Sequence, residues 1–311
     1  MGQRLTTVTL LILMGWQWSA AQQGPYFDGR EAFRLLEAQT ALGPRFPGSP
    51  GHTAMVNFLE EQLRPLAHEL AVQVTRQPHP YRGDTLEIIN FLARFNPASP
   101  VRLLILAHYD TRAVADQDAD PANRSRPILG ANDGASGVAV LLHLAELMAR
   151  EPPPVGVDLL LVDAEDVGRS GDLDNFALGS KAFVREMDRL LGGIRPRYAV
   201  LLDMVGDAQL RLPMEYYSWR DARELTQRIW QLAQDLGYAQ FVFEIGPAVY
   251  DDHLPLLEAG IPAVDIIDLD YSAPDGQSYW HTLEDTPDKC SPESLEAVGT
   301  VITTLIYSER P

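Results

Sequence analysis

Apolar runs dense in Val, Ile and Leu alternate along this chain with segments of helical periodicity, and that alternation restricts the fold more than any other feature. The runs fall at 86–95, 101–107, 157–162, 198–202, 241–243 and 263–267. Helical patterns occupy 31–40, 52–67, 134–150, 179–191, 221–236, 253–259 and 292–308. Runs without a polar face belong to strands buried on both sides, and the intervening helices supply the cover. The expected architecture is α/β, with a central mixed, mostly parallel sheet flanked by helices on both faces. The Pro- and Asp-rich stretch 116–127 is too short for a linker and reads as a loop between two functional segments.

The chain opens with Arg4, an apolar stretch from Leu5 to Trp16 and then Ser19-Ala20-Ala21, the order of an export signal. That stretch is far short of the roughly 20 apolar residues a bilayer needs. The expected division is a signal peptide at 1–21 and a single catalytic domain at 22–311, secreted or periplasmic and free of the membrane once the leader is removed. A formal net charge of −18 disfavours nucleic acid as a partner. The lone Cys290 excludes an intramolecular disulfide framework. Lys289, Ser291 and Pro292 around it supply no His for a reactive thiolate, so it reads as a structural thiol near a helix start.

The charges collect where the apolar runs stop. Run 101–107 ends in His108-Tyr109-Asp110, run 157–162 in Asp163-Ala164-Glu165-Asp166, and run 198–202 in Asp203, while 263–267 contains Asp265 and ends in Asp268. Any one of these acids is explained as a turn or cap residue. Together they predict a shared site at the carboxyl edge of the sheet, where ligands bind in doubly wound folds. Several other chemistries fail on spacing: His68-Glu69-Leu70-Ala71-Val72 has Val where a zinc-peptidase helix needs its second His. Gly134-Ala135-Ser136-Gly137-Val138 lacks the last Gly of a nucleophile elbow, and no dinucleotide or phosphate loop is present. The remaining set is His108, Asp110, Asp133, Glu165, Asp166, Asp203, Asp251, His253 and His281. Oxygen and nitrogen donors without thiolate suit a catalytic zinc that keeps an open position.

Eight segments in order, HYDT (108–111), GANDGASGVA (130–139), VDAED (162–166), ALGSKAF (177–183), LLDMVGD (201–207), DDHLP (251–255), GIPAVDII (260–267) and YWHTLEDTPD (279–288), resemble the zinc exopeptidase superfamily of secreted aminopeptidases. Within it they are most similar to the glutaminyl-peptide cyclotransferase branch, the glutaminyl cyclases. Upstream, GPRFPGSPGH (43–52) resembles the segment that opens the same domain. The resemblance implies zinc ligands at Asp133, Asp166 and His281, a general acid–base at Glu165, and a hydrogen-bond relay through Asp203 and Asp251. Repulsion from neighbouring acids then raises the Glu165 pKa, with zinc opposing the shift. Tyr279 and Trp280, beside a ligand, make a natural pocket wall. Three positions depart from the animal cyclases: Asp166 stands where they carry Glu, as in many bacterial relatives, and Asp265 stands where they carry an assisting His. The segment VGRSGDLDN (167–175) lacks their pocket tryptophan. Asp265 either assists or is a buried acid satisfied by backbone or by His253.

Two reactions share these residues. A cyclase acts on peptides or proteins with N-terminal Gln and needs one zinc per chain. An aminopeptidase takes two, with His108 and Asp203 on the second metal, Asp133 bridging, and Glu165 activating water. Trp280 before His281 and the doubled acid Asp251-Asp252-His253 favour the cyclase on the resemblance. A non-catalytic binding protein is the third reading, opposed by intact Glu165, Asp166 and His281. The other histidines read as structural: His143 in a helix core, His52 and His79 in loop-like contexts, His68 at a helix end. His253 opens a helix, with a role behind the ligands as its alternative.

Overall fold

Alternation within the apolar runs decides the layers. The computed structural model describes residues 24–311, so the expected leader lies outside the described residues. The chain begins with α1 (Gly29–Thr40) and α2 (Pro50–Leu63), followed by β1 (Glu69–Pro78), β2 (Thr85–Phe95) and β3 (Arg102–His108). Then come α3 (Ser136–Arg150), β4 (Gly156–Val162), α4 (Leu178–Leu190), β5 (Ala199–Asp203) and β6 (Leu212–Met214). The last part holds α5 (Tyr216–Asp221), α6 (Arg223–Asp235), β7 (Phe241–Ile245), α7 (His253–Glu258), β8 (Ala263–Ile267) and α8 (Pro292–Ser308).

The main sheet has the order β1-β2-β4-β3-β5-β8. Strands β4, β3, β5 and β8 run parallel, while β2 joins β4 antiparallel and β1 extends that edge. In β3, Leu103, Ile105 and Ala107 pack with Leu36 of α1, Leu144 of α3 and Ile302 of α8. Leu104 and Leu106 turn the other way, onto Phe183 and Met187 of α4 and Leu256 of α7. A period of two with both faces apolar leaves these strands nowhere to go but the centre of the sheet. Truncating Leu106 to Ala there costs about 2–5 kcal/mol.

Topology places the crevice. The chain leaves β3 through α3 for β4 on one side, then crosses through α4 to β5 on the other. Right-handed crossovers in opposite directions put α3 and α4 on opposite faces, and the carboxyl ends of β3, β4 and β5 splay apart between them. Two glycines permit the close packing. A Cβ on Gly137 would lie 2.1 Å from Leu202 O, and one on Gly179 2.2 Å from Asp163 O, so both helix starts press directly on strand ends.

The structure differs from expectation at the margins. Strand β1 pairs along its whole length with β2, yet only Gln73 is buried, while Val72 and Val74 face solvent. Its polarity is inverted, because the Gln73 amide donates to Ala182 O, and the apolar pattern therefore hides it. Run 241–243 is not part of the main sheet: β7 pairs only with β6, and Phe243 and Ile245 are exposed. The helix expected at 221–236 is α6, and the short α5 that precedes it, separated by Ala222, is one the pattern did not mark. Helix α2 stops at Leu63, so His68 ends no helix, and its N–H donates to Arg94 O where β1 begins. Cys290 is buried directly before Ser291, the N-cap of α8. Among the described residues no helix is long and apolar enough to cross a membrane.

Candidate active site

Two buried carboxylates hold the segments that carry the site. Asp110, just past β3, accepts from Glu165 N at 3.0 Å through one oxygen and from Asp166 N at 3.2 Å through the other. Asp285 does the same for the loop before α3, accepting from Asn132 N at 2.8 Å and Asp133 N at 3.2 Å. The Tyr271 hydroxyl donates to Asp285 at 2.9 Å. Ala164 adopts φ 57°, which turns the chain so that the next two N–H groups converge on one carboxylate. Met204 (φ 47°) and His281 (φ 55°) also sit in the left-handed region, at a cost of about 1–3 kcal/mol each.

Asp133, Asp166 and His281 converge. His281 Nε2 lies 3.4 Å from Asp133 Oδ2 and 3.4 Å from Asp166 Oδ2. Both of those oxygens are buried and have no hydrogen-bond partner. The remaining atoms of the set are engaged: Arg112 donates to Asp166 Oδ1 at 2.5 Å and makes two 2.8 Å bonds to Asp116. Asp116 Oδ1 in turn lies 3.4 Å from His281 Nδ1, which fixes the imidazole with Nε2 facing the carboxylates. Two orphaned oxygens and one nitrogen, all aimed at a common point, fit a zinc ion with a coordination position left open. Trp280 stacks over the His281 ring at 3.8 Å and is 37% exposed, so it walls that imidazole from the solvent side. Tyr279 packs instead edge-on against Tyr271 at 5.2 Å.

A second group of potential ligands shares Asp133. His108 Nε2 lies 3.3 Å from Asp133 Oδ1 and 3.0 Å from Asp203 Oδ1. Burial disfavours a charge on His108, but the surrounding Asp203, Asp110 and Asp133 win, and its pKa is raised well above the usual value.

Glu165 lines the crevice and is 9% exposed. Burial first, then the Asp251 and Asp166 carboxylates, push its pKa well above the ordinary range. Repulsion was the expected cause; burial outweighs it. Asp251 accepts from Asp252 N at 2.5 Å and leaves Oδ2 unpaired, and burial with Asp203 pushes it up as well. No hydrogen bond joins Asp203, Asp251 and Glu165 among the described residues. Asp265 is fully buried with both oxygens unpaired, and burial holds it well above the carboxylate range. Neither backbone nor His253 satisfies it: His253 Nδ1 is 3.7 Å away, while Nε2 faces Glu215 at 3.3 Å. Glu215, which caps α5, is pushed up by burial but held at about 2 by His253 and its backbone donors.

Three supporting residues were not singled out by sequence reasoning: Arg112, Asp116 and Asp285. Arg112 and Asp285 lie within or beside quoted segments and were within reach, whereas nothing local marks Asp116 in its loop. His52 is structural, as expected, but lies in the first turn of α2 rather than in a loop, and its Nε2 meets Asp163 Oδ1 at 2.9 Å. His143 is buried as expected, bonded to Asp28 N and Glu146.

A mixed, mostly parallel α/β sheet with an oxygen and nitrogen donor triad and a high-pKa glutamate at its carboxyl edge defines an enzyme of the zinc exopeptidase class. Residues 90–306 match the family model, and the chain belongs to peptidase family M28. A glutaminyl cyclase of Bacteroides thetaiotaomicron, solved with N-acetylhistamine, superposes with a TM-score of 0.86 at 34% identity, covering 92% of this chain and 100% of that one. A structure from the same organism described as a leucine aminopeptidase precursor gives 0.86 and 34% over 92% and 99%. The glutaminyl-peptide cyclotransferase-like protein of Bos taurus is 24% identical over 84% of this chain and 71% of its own length.

Proposed function

We propose that this chain is an exported glutaminyl-peptide cyclotransferase, converting the N-terminal glutamine of peptides or proteins to pyroglutamate with release of ammonia. The observation that carries the reading is the pairing of the open Asp133/Asp166/His281 triad with Glu165, a buried acid of raised pKa on the adjacent residue. Asp133, Asp166 and His281 would hold one zinc, which would supply a Lewis acid for the γ-carboxamide carbonyl.

The chain's own groups do the rest. Glu165 takes a proton from the substrate's α-amine as its nitrogen bonds to the γ-carboxamide carbon, and returns one to the nitrogen that departs as ammonia. A raised pKa suits a group that must do both near neutrality. Asp110 holds the Glu165 and Asp166 N–H groups, so acid–base and ligand keep one geometry. Asp251 beside Glu165 raises its proton affinity, and Asp203 acts in the same direction on Asp251. Trp280 provides an apolar wall that limits water at the reacting carbon. Nucleophile and electrophile belong to one residue, so proximity contributes much of the acceleration.

The His108/Asp133/Asp203 group favours a second reading, a two-zinc aminopeptidase. One zinc suffices for cyclisation, because an internal amine attack has no hydroxide to be delivered. Zinc content by elemental analysis, with ammonia release from a Gln-initiated peptide set against amine release from Leu-arylamide, separates the two. Two zincs per chain with rapid arylamide cleavage and no ammonia would overturn the cyclase.

A further inference from the structure

A cavity of ≈ 190 Å³ opens beside the donor triad, with Asp166 and Arg112 in its wall. It is smaller than the roughly 300–1,000 Å³ of pockets that enclose whole ligands, and suits a single side chain. Phe46, Val114 and Val167 give it apolar sides, and the turn between β1 and β2 closes over it with His79, Tyr81 and Arg82. Asp166, Val167, Gly168 and Arg169 line it in succession, so the cavity wall begins at the residue that follows Glu165.

Its charge is opposite to that of the molecule. In a chain of net charge −18, this wall carries Arg82, Arg112, Arg169 and His79 against the single acid Asp166. Arg112 already bonds Asp166 and Asp116, which neutralises it. Arg169 is exposed, lies over the Tyr81 ring at 4.2 Å and feels Asp172, which accepts from the Tyr81 hydroxyl at 2.6 Å, without forming an ion pair among the described residues. Arg82 reaches only Asp84, at 3.3 Å with both side chains about half exposed. Burial and then the two guanidiniums Arg82 and Arg169 lower the His79 pKa, which places both cations in one local field.

We propose that this cavity is a subsite for an acidic side chain, Asp or Glu, in the two residues that follow the N-terminal glutamine. The inference rests on the cyclase reading. The cavity shares Asp166 with the triad, so a peptide with glutamine at the triad and its amine at Glu165 reaches it by running past Asp166, at about 3.5 Å per residue. Arg82 and Arg169, stiffened by Asp84 and Tyr81, then meet a carboxylate at the rim.

The experiment compares Gln-Glu-Glu, Gln-Ala-Ala and Gln-Lys-Lys amides on the zinc-loaded enzyme, by ammonia release and by calorimetric binding. The acidic peptide should have the higher kcat/KM, by about 3- to 10-fold over the basic one, mainly through KM and shrinking with added salt. Arg169→Glu and Arg82→Glu should each reverse that order, and Arg169→Lys should retain it. Equal constants for the three peptides, or a preference that survives both reversals, overturn the subsite. Absence of ammonia from every peptide is a failure of the cyclase reading instead, and the calorimetric order of the three peptides then decides the subsite by itself.

Discussion

Asp110→Asn tests whether a buried carboxylate holds the catalytic segment. Asp110 is fully buried and each oxygen accepts one backbone N–H, from Glu165 at 3.0 Å and from Asp166 at 3.2 Å. An amide can accept at one of these positions only, and its NH₂ then faces a backbone N–H across the other. One charge-assisted bond is lost, about 1.5–3 kcal/mol, and a buried donor is left unpaired, about 1–3 kcal/mol. Removing the charge relieves repulsion with Asp163 and Asp166, but those acids already face His52 and Arg112, so the relief is smaller than the loss. The net expectation is a destabilisation of about 2–3 kcal/mol, read by urea unfolding of the zinc-free protein. Asp188→Asn, at an exposed position, serves as the control and should change stability by less than about 0.5 kcal/mol. Because Glu165 moves with its own N–H, cyclisation with saturating zinc should fall about 10²-fold. An Asp110→Asn enzyme with unaltered unfolding and unaltered turnover would refute the argument.

Glu165→Gln should keep fold and zinc while losing about 10²–10⁴ in cyclisation rate, since it removes the proton carrier at constant shape; undiminished turnover takes Glu165 out of the mechanism. His281→Ala should release zinc and abolish activity. His108→Ala should keep the metal and lose about 1–2 kcal/mol of stability, and equal zinc loss in both variants would contradict the one-zinc assignment. Burial holds Asp252, Asp268 and Asp285 each at about 7, against an unfolded carboxylate value of 3.8. The zinc-free folded state therefore binds more protons than the unfolded chain between those values. Its stability should fall as pH rises from about 5 to 7.5, and a Tm that climbs over that range would contradict the sign.

The sequence by itself determined the layers of this protein and the edge at which its chemistry gathers. Period-two apolar runs such as 101–107 and 157–162 carry their burial on both faces in the local pattern, and an acid at the end of each run is a statement about neighbours in sequence. The same locality explains the failures, where Gln73 faces inward from an edge strand and where Phe243 sits exposed in a side ribbon. What each acid does was decided by tertiary structure alone. Asp110 and Asp285 are the same residue type as Asp133 and Asp166, yet the first pair meets backbone N–H groups and the second pair is left with bare oxygens facing His281. Asp116 reaches that imidazole across 165 residues of chain. A carboxylate becomes a brace, a ligand or a proton carrier according to the donors that folding brings to it, and those donors come from strands and loops that no local pattern connects.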